Sequence, residues 1–193
     1  IKQVCIDMPD LKQWALTPFR ASFRASINLS GHDLRSNQLF DYIYNTFNLY
    51  DINPENVEFE VTESAYLENF ALSNKFFRRI ANMGCAIALD DFGTGYSSLS
   101  YLTQINIDTL KVDRQVVTEL QTSERSRLVT GAIIDLAKRL SLSVCAEGIE
   151  NHEQWDYLRE HGCDNVQGFL FSKPIPLSAL VRSPCRYDAS AMA

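Results

Sequence analysis

Cys85-Ala86-Ile87-Ala88-Leu89-Asp90 is a short apolar run that ends on a carboxylate, with a second carboxylate, Asp91, directly after it. Five other stretches resemble it: Ser26 to Ser30, Val57 to Thr62, Thr109 to Asp113, Ser143 to Glu147 and Asn165 to Phe171. Such runs are too short for helices, and they read as strands buried on both faces. The segments between them carry a helical period. Leu39, Phe40, Ile43, Tyr44 and Phe47 make one apolar face, and Leu67, Phe70, Phe76, Phe77 and Ile80 a second. Leu128, Ile133, Ile134, Leu136, Ala137 and Leu140 make a third, and Trp155 with Leu158 a short fourth. These aromatic and aliphatic stripes read as core. Local signals set the boundaries: Asp33 as a cap for the first of these helices, Asn151 with Gln154 as a capping box, Gly84 as a helix end and Pro54 as a turn before a strand. The opening stretch to Leu16 reads as a helix interrupted or restarted at Pro9. Strands alternating with helices imply right-handed crossovers and a parallel sheet. Six strands suit an open doubly wound sheet or most of a barrel, and the pattern alone leaves both open.

Composition bounds the function. The chain has 193 residues, 46% hydrophobic and 22% charged, which is ordinary for one globular domain able to bury a core. A formal charge of -6 argues against binding a nucleic-acid polymer, so a phosphate-bearing partner would need metal or local cations. The five cysteines show no CxxC spacing and read as reduced packing or surface residues of a cytoplasmic protein, or of the cytoplasmic domain of a larger one. No apolar run is long enough to span a bilayer, although a parent protein could carry one elsewhere. The chain begins with Ile1, not Met, which reads as processing or excision from something longer. From Ser183 the periodicity is lost, so residues 1–182 read as the domain and 183–193 as a tail.

The polar residues within the strands are concentrated at the carboxyl ends: Asn28, Glu60, Asp90 with Asp91, Lys111 with Asp113, Glu147 followed by Glu150, and Gln167. Parallel α/β folds bind their ligands at that edge. A charged side chain in an apolar strand is costly unless it is paired or bound to metal. Several carboxylates on one edge repel one another, and divalent cations relieve that repulsion. A donor set of carboxylates and an amide, without Cys or clustered His, favours Mg²⁺ or Mn²⁺ over Zn²⁺. Asp90 and Asp91 face opposite ways if both lie in a strand, so they can share a site only where the strand ends. Phe92-Gly93-Thr94-Gly95-Tyr96-Ser97-Ser98 supplies such an ending, either as a pliant phosphate cradle or as a plain cap and turn. Asp113 reads equally as a salt-bridge partner or a site residue. His32, His152 and His161 read as surface residues.

Taken in order, Asn28-Leu29-Ser30, Phe59-Glu60-Val61-Thr62-Glu63-Ser64, Asp90-Asp91-Phe92-Gly93-Thr94-Gly95-Tyr96-Ser97-Ser98-Leu99, Leu110-Lys111-Val112-Asp113, Ala146-Glu147-Gly148-Ile149-Glu150 and Gln167-Gly168-Phe169 resemble the EAL-domain family of cyclic-di-GMP phosphodiesterases. The resemblance runs to about Pro176. It implies a modified TIM-type (β/α) barrel that hydrolyses cyclic-di-GMP to linear pGpG with two Mg²⁺ or Mn²⁺ ions. It also implies roles for residues at matching positions. Asn28, Glu60 and Asp90 are expected as ligands of the first metal, with Asp90 bridging to a second and Asp91 beside it. Glu147 is expected at the second metal or as a general base. Lys111 orients the attacking water and offsets phosphate charge, and Glu150 steadies that lysine. Gln167 hydrogen-bonds the water or phosphate, so Asn28, Lys111 and Gln167 also face substrate. Glu63 anchors the loop from Phe92 to Ser98, and a homodimer forms through that loop and the helix after Asp91.

The chain departs from the family in lacking the Glu-Ala-Leu strand for which the family is named. The expectation is an incomplete barrel of about six of the eight strands, short by roughly 50 residues at its start, with two exposed sheet edges. Such a chain is expected to hydrolyse cyclic-di-GMP poorly by itself. The alternatives are an inactive cyclic-di-GMP receptor or a protein-interaction module.

Overall fold

The computed structural model describes residues 1–15, 23–93 and 99–182. Leu16, the Thr94–Ser98 part of the expected loop, Cys185 and the expected tail lie outside the described residues.

Among the described residues six strands form one sheet: β1 (Ala25–Leu29), β2 (Val57–Thr62), β3 (Ala86–Phe92), β4 (Thr109–Val112), β5 (Ser143–Glu147) and β6 (Asn165–Gln167). Every adjacent pair is parallel, and the order is β1-β2-β3-β4-β5-β6. A doubly wound sheet reverses its strand order at a switch point, whereas this one never reverses, so the winding is that of a barrel. The six strands form a curled half-barrel with helices packed against it.

The α-helices among the described residues are α1 (Lys2–Ala15), which precedes β1, then α2 (Gly31–Leu34), α3 (Leu39–Leu49), α4 (Glu63–Glu68), α5 (Phe70–Asn82), α6 (Arg114–Thr118), α7 (Glu124–Arg139) and α8 (His152–Glu160) between the strands, and α9 (Leu177–Leu180), which follows β6. Several differ from expectation. α1 runs through Pro9 without interruption. Proline keeps a helical φ and forfeits one hydrogen bond, and Cys5 and Met8, both buried, hold the turn before it. The helix expected across Leu67 to Ile80 is two helices. Asn69 breaks it, and its side chain accepts from the Leu72 amide to cap α5. Asp33 belongs to a capping box with Ser30 at the start of α2, ahead of α3. The Asn151–Gln154 box at α8, the left-handed Gly84 after α5 and the turn at Pro54 before β2 are present.

Alternation divides each strand between two faces. Ile27, Leu29, Phe59, Val61, Ile87, Leu89, Leu110, Val112, Val144 and Ala146 are buried under the helices. Tyr66 and Phe77 stack there at 5.3 Å, each fully buried. Burial of a side chain of that size contributes roughly 1.5–3 kcal/mol. The opposite face carries Asn28, Glu58, Glu60, Ala88, Asp90, Thr109, Lys111, Cys145 and Glu147. At the amino-terminal edge, Asp108 accepts from the Ile87 amide (2.9 Å) and Asp164 from the Val144 amide (2.8 Å), so the same device ties two strand starts to their neighbours.

Candidate active site

β3 does not end at Asp90. Leu89 pairs with Leu110 and Phe92 with Val112, so three steps on β3 match two on β4. The extra residue is a bulge, and Asp91 takes the left-handed conformation there at φ 58°. Its amide donates to Asp90 Oδ1 at 2.9 Å. The bulge, in place of a strand end, frees two successive aspartates from strict alternation.

Lys111, on β4, is the centre of the cluster. Its Nζ lies 2.6 Å from Glu147 Oε1 on β5, 2.7 Å from Glu60 Oε2 on β2 and 3.4 Å from Asp90 Oδ2 on β3. The lysine side chain is only 6% exposed, and the carboxylates 10%, 13% and 21%. Three carboxylates against one ammonium leave an excess of two negative charges if all are ionised. A buried excess of this kind calls for further cations or protons. Burial pushes the Lys111 ammonium down, but its hydrogen bonds to Glu147 and Glu60 outweigh that and hold it well above the usual lysine range. Burial pushes the Glu147 carboxyl up; Lys111 pulls it back, Asp90 and Glu60 push it up again, and the net direction is up. Asp91 is likewise raised, by burial first and then by Asp90 and Asp113.

The other expected residues are placed as follows. Asn28 pairs in register with Glu60, and Gln167 with Glu147; both side chains are exposed, on the two edge strands. Glu150 pairs with Arg114 at 2.7 Å, while the ion-pair partners of Lys111 are Glu60, Asp90 and Glu147. Asp113 caps α6 by accepting from the Gln115 amide at 2.7 Å. Glu63, buried at the start of α4, accepts a hydrogen bond from Tyr101, which lies just beyond the glycine-rich segment. All three histidines are exposed.

Sequence reasoning missed Arg114 and Tyr101, whose partners lie 36 and 38 residues away along the chain. It also missed why Gly148 and Gly168 are glycines. A Cβ on Gly148, at φ 71°, would sit 2.2 Å from Arg114 Cγ. One on Gly168 would sit 2.1 Å from the Ile149 carbonyl oxygen and 2.3 Å from its nitrogen. The segment after β5 therefore lies directly on the backbone after β6. It is pinned by Ile149 N to Gln167 O (3.1 Å) and Leu170 N to Ile149 O (3.0 Å). Gln154 adds a third tie, accepting from the Glu150 amide at 2.8 Å.

The donors suit a hard divalent cation: all are oxygens, and three carboxylates already converge on one cationic group. Even so, among the described residues no group of three or more His, Cys, Asp or Glu side chains is arranged to hold a metal ion as it stands. The carboxylate oxygens are turned to Lys111. Among the same residues no helix is long and apolar enough to cross a membrane.

The fold and site define a parallel α/β-barrel protein with a buried charge cluster at the carboxyl ends of its strands. By comparison with known proteins the chain belongs to the EAL domain family, which it matches over residues 1–174. It is 45% identical over 151 residues to the signaling protein YkoW of Bacillus subtilis, covering 78% of this chain and 19% of that protein. It is 39% identical over 169 residues to the cyclic di-GMP phosphodiesterase NbdA of Pseudomonas aeruginosa, covering 86% and 22%. The chain thus spans about a fifth of the length of these relatives. Among solved structures it resembles the PaMucR phosphodiesterase in complex with c-di-GMP, at TM-score 0.85 and 32% identity over 93% of this chain and 71% of that one. It also resembles Klebsiella pneumoniae BlrP1 in a manganese and cyclic-di-GMP complex, at TM-score 0.76 and 28% identity over 90% and 45%.

Proposed function

We propose that this chain carries the acidic strand ends of a cyclic-di-GMP phosphodiesterase that uses Mg²⁺ or Mn²⁺ and releases linear pGpG. The observation that carries this reading is the buried set of Glu60, Asp90 and Glu147 around Lys111, an oxygen-only cluster with more negative charge than its lysine neutralises. The names of the similar phosphodiesterases support the substrate, and the BlrP1 complex supports the metal class.

Asn28, Glu60, Asp90, Asp91 and Glu147 would hold the two ions. Bound there, the metal would supply a water of lowered pKa and neutralise charge building on the phosphate. The protein's own groups do the rest. Glu147, whose burial favours proton uptake, accepts a proton from the attacking water. Lys111 offers N–H donors to the phosphate oxygens and offsets their charge. Gln167 and Asn28, on the two edge strands, orient substrate from either side. Glu150 acts from the rim, where Arg114 fixes it. Glu63 anchors the segment after β3 through Tyr101, and a homodimer forms along that segment. We place the protein in the cytoplasm, where a nucleotide second messenger is met.

The test is incubation of the purified 193-residue chain with cyclic-di-GMP and Mg²⁺ or Mn²⁺, with chromatography for pGpG and calorimetry for binding. The chain contains no Glu-Ala-Leu sequence. Measurable binding with slow turnover is therefore expected, rising when a segment bearing that motif is supplied. Binding that no metal or added segment converts to turnover would favour a receptor, and no binding at all would overturn the reading.

A further inference from the structure

Lys111 poses a problem that the proposed roles do not solve. A group meant to contact phosphate or water would be expected to point its ammonium toward open space. Instead its nitrogen is spent on three carboxylates, two of them at 2.6 and 2.7 Å, and the residue is 5% exposed. Those carboxylates are the ones a metal would need, and as they stand they do not form a metal-holding group. An ammonium and a divalent ion compete for the same oxygens, and two cations a few ångströms apart repel each other.

We propose that Lys111 is a resident counter-ion of the acidic pocket, holding Glu60, Asp90 and Glu147 together until a divalent metal takes those oxygens and displaces the ammonium. Metal loading is then an exchange, not a simple filling. The lysine serves first as the cation that keeps mutually repelling carboxylates assembled. Once displaced, it is free to turn toward the substrate. The reach of its flexible four-carbon stem suits such a move better than a rigid guanidinium would. This inference rests on the reading of these residues as metal ligands.

The test compares Mn²⁺ binding to the wild-type chain and to Lys111→Met by calorimetry, without substrate. Removing one like charge within ~4 Å of a divalent ion should tighten Mn²⁺ binding by roughly tenfold or more. The metal-free variant should melt lower than wild type and recover in saturating Mn²⁺. A second measurement needs only the wild-type chain and Lys111→Arg to assign the signal. The ¹⁵N resonance of the Lys111 ammonium, slow to exchange while ion-paired and buried, should move or broaden beyond detection on addition of Mg²⁺. Equal or weaker Mn²⁺ binding by Lys111→Met, or a lysine signal unmoved at saturating Mg²⁺, overturns the exchange while leaving metal dependence standing. If neither protein binds Mn²⁺, both the exchange and the metal-dependent reading fail. If Lys111→Met does not fold, the lysine resonance alone decides.

Discussion

Replacing Gly168 by alanine tests whether the packing of the β5 and β6 loops holds the site together. The new Cβ would lie 2.1, 2.3 and 2.7 Å from the oxygen, nitrogen and carbonyl carbon of Ile149. These are backbone atoms, so no side-chain rotation relieves the overlap, and the two segments must separate by about 1 Å to regain ordinary contact. Ile149 is fully buried, and its backbone makes two hydrogen bonds to this region, to Gln167 O and from Leu170 N. Losing or stretching both costs about 1–3 kcal/mol, and overpacking adds about 1–3 kcal/mol, so the expected loss is roughly 2–6 kcal/mol. Gly84 supplies the control. It has φ 98°, but a Cβ there would meet nothing nearer than 3.7 Å, so Gly84→Ala bears only the backbone term of about 1–2 kcal/mol. Urea titration at neutral pH should therefore rank Gly168→Ala well below Gly84→Ala. Under the proposed function, Gly168→Ala should also weaken cyclic-di-GMP binding, because Glu147 and Gln167 flank the displaced segments. A Gly168→Ala loss equal to or smaller than that of Gly84→Ala would refute the argument that close approach, not conformation, dictates this glycine.

Two further outcomes follow from buried groups. Burial pushes the Tyr66 hydroxyl up to about 12, and it donates to Asn74 Oδ1 at 2.6 Å. Between the ordinary tyrosine value near 10 and that figure, the folded chain keeps a proton that the unfolded chain has released. Stability should therefore fall as pH rises through this window, by about 3 kcal/mol from Tyr66. Tyr66→Phe should be about 1 kcal/mol less stable than wild type at pH 7 for want of the hydrogen bond, and the deficit should vanish and then reverse before pH 12; a constant deficit would count against the burial account. Tyr101→Phe removes a donor from the buried Glu63 carboxylate and should cost about 1–3 kcal/mol in urea, which unchanged stability would contradict.

Much of this architecture was legible because it is written locally. Apolar runs that carry Glu60, Asp90 and Glu147 at or near their carboxyl ends mark strands whose ends hold charge, and Asn151 with Gln154 marks a helix start through bonds within one turn. The choice between barrel and doubly wound sheet was not local, because it depends on which strand lies beside which. The bulge at Asp91 was invisible for the same reason: it exists only relative to β4, whose register requires three residues against two. Glu150 was expected to support Lys111 and pairs instead with Arg114, because the loop after β5 turns at Gly148 with the Arg114 stem packed against it. Asn69 could have been read as a break, being a capping residue inside a helical period, but the apolar stripe continues across it and masks the interruption.

The charge cluster also explains residues that carry no charge. Glu60 and Lys111 lie on β2 and β4, and β3 runs between them, so their 2.7 Å contact must cross β3. The same is true one row lower, where Thr109 donates to Glu58 at 2.8 Å. On β3 the residues in register with Glu58 and Glu60 are Ala86 and Ala88, both buried and both small. A larger side chain at either would fill the channel through which the long arms of Glu58, Glu60 and Lys111 meet. The alanines are therefore as much a part of the site as the carboxylates: they trade apolar packing on one face of a central strand for a polar span across it. That trade makes little sense for stability, since an apolar filling of the same volume is often neutral or better than a buried ion pair. It makes sense if the carboxylates must be held together and yet remain exchangeable, which is what a lysine bridge over two alanines provides.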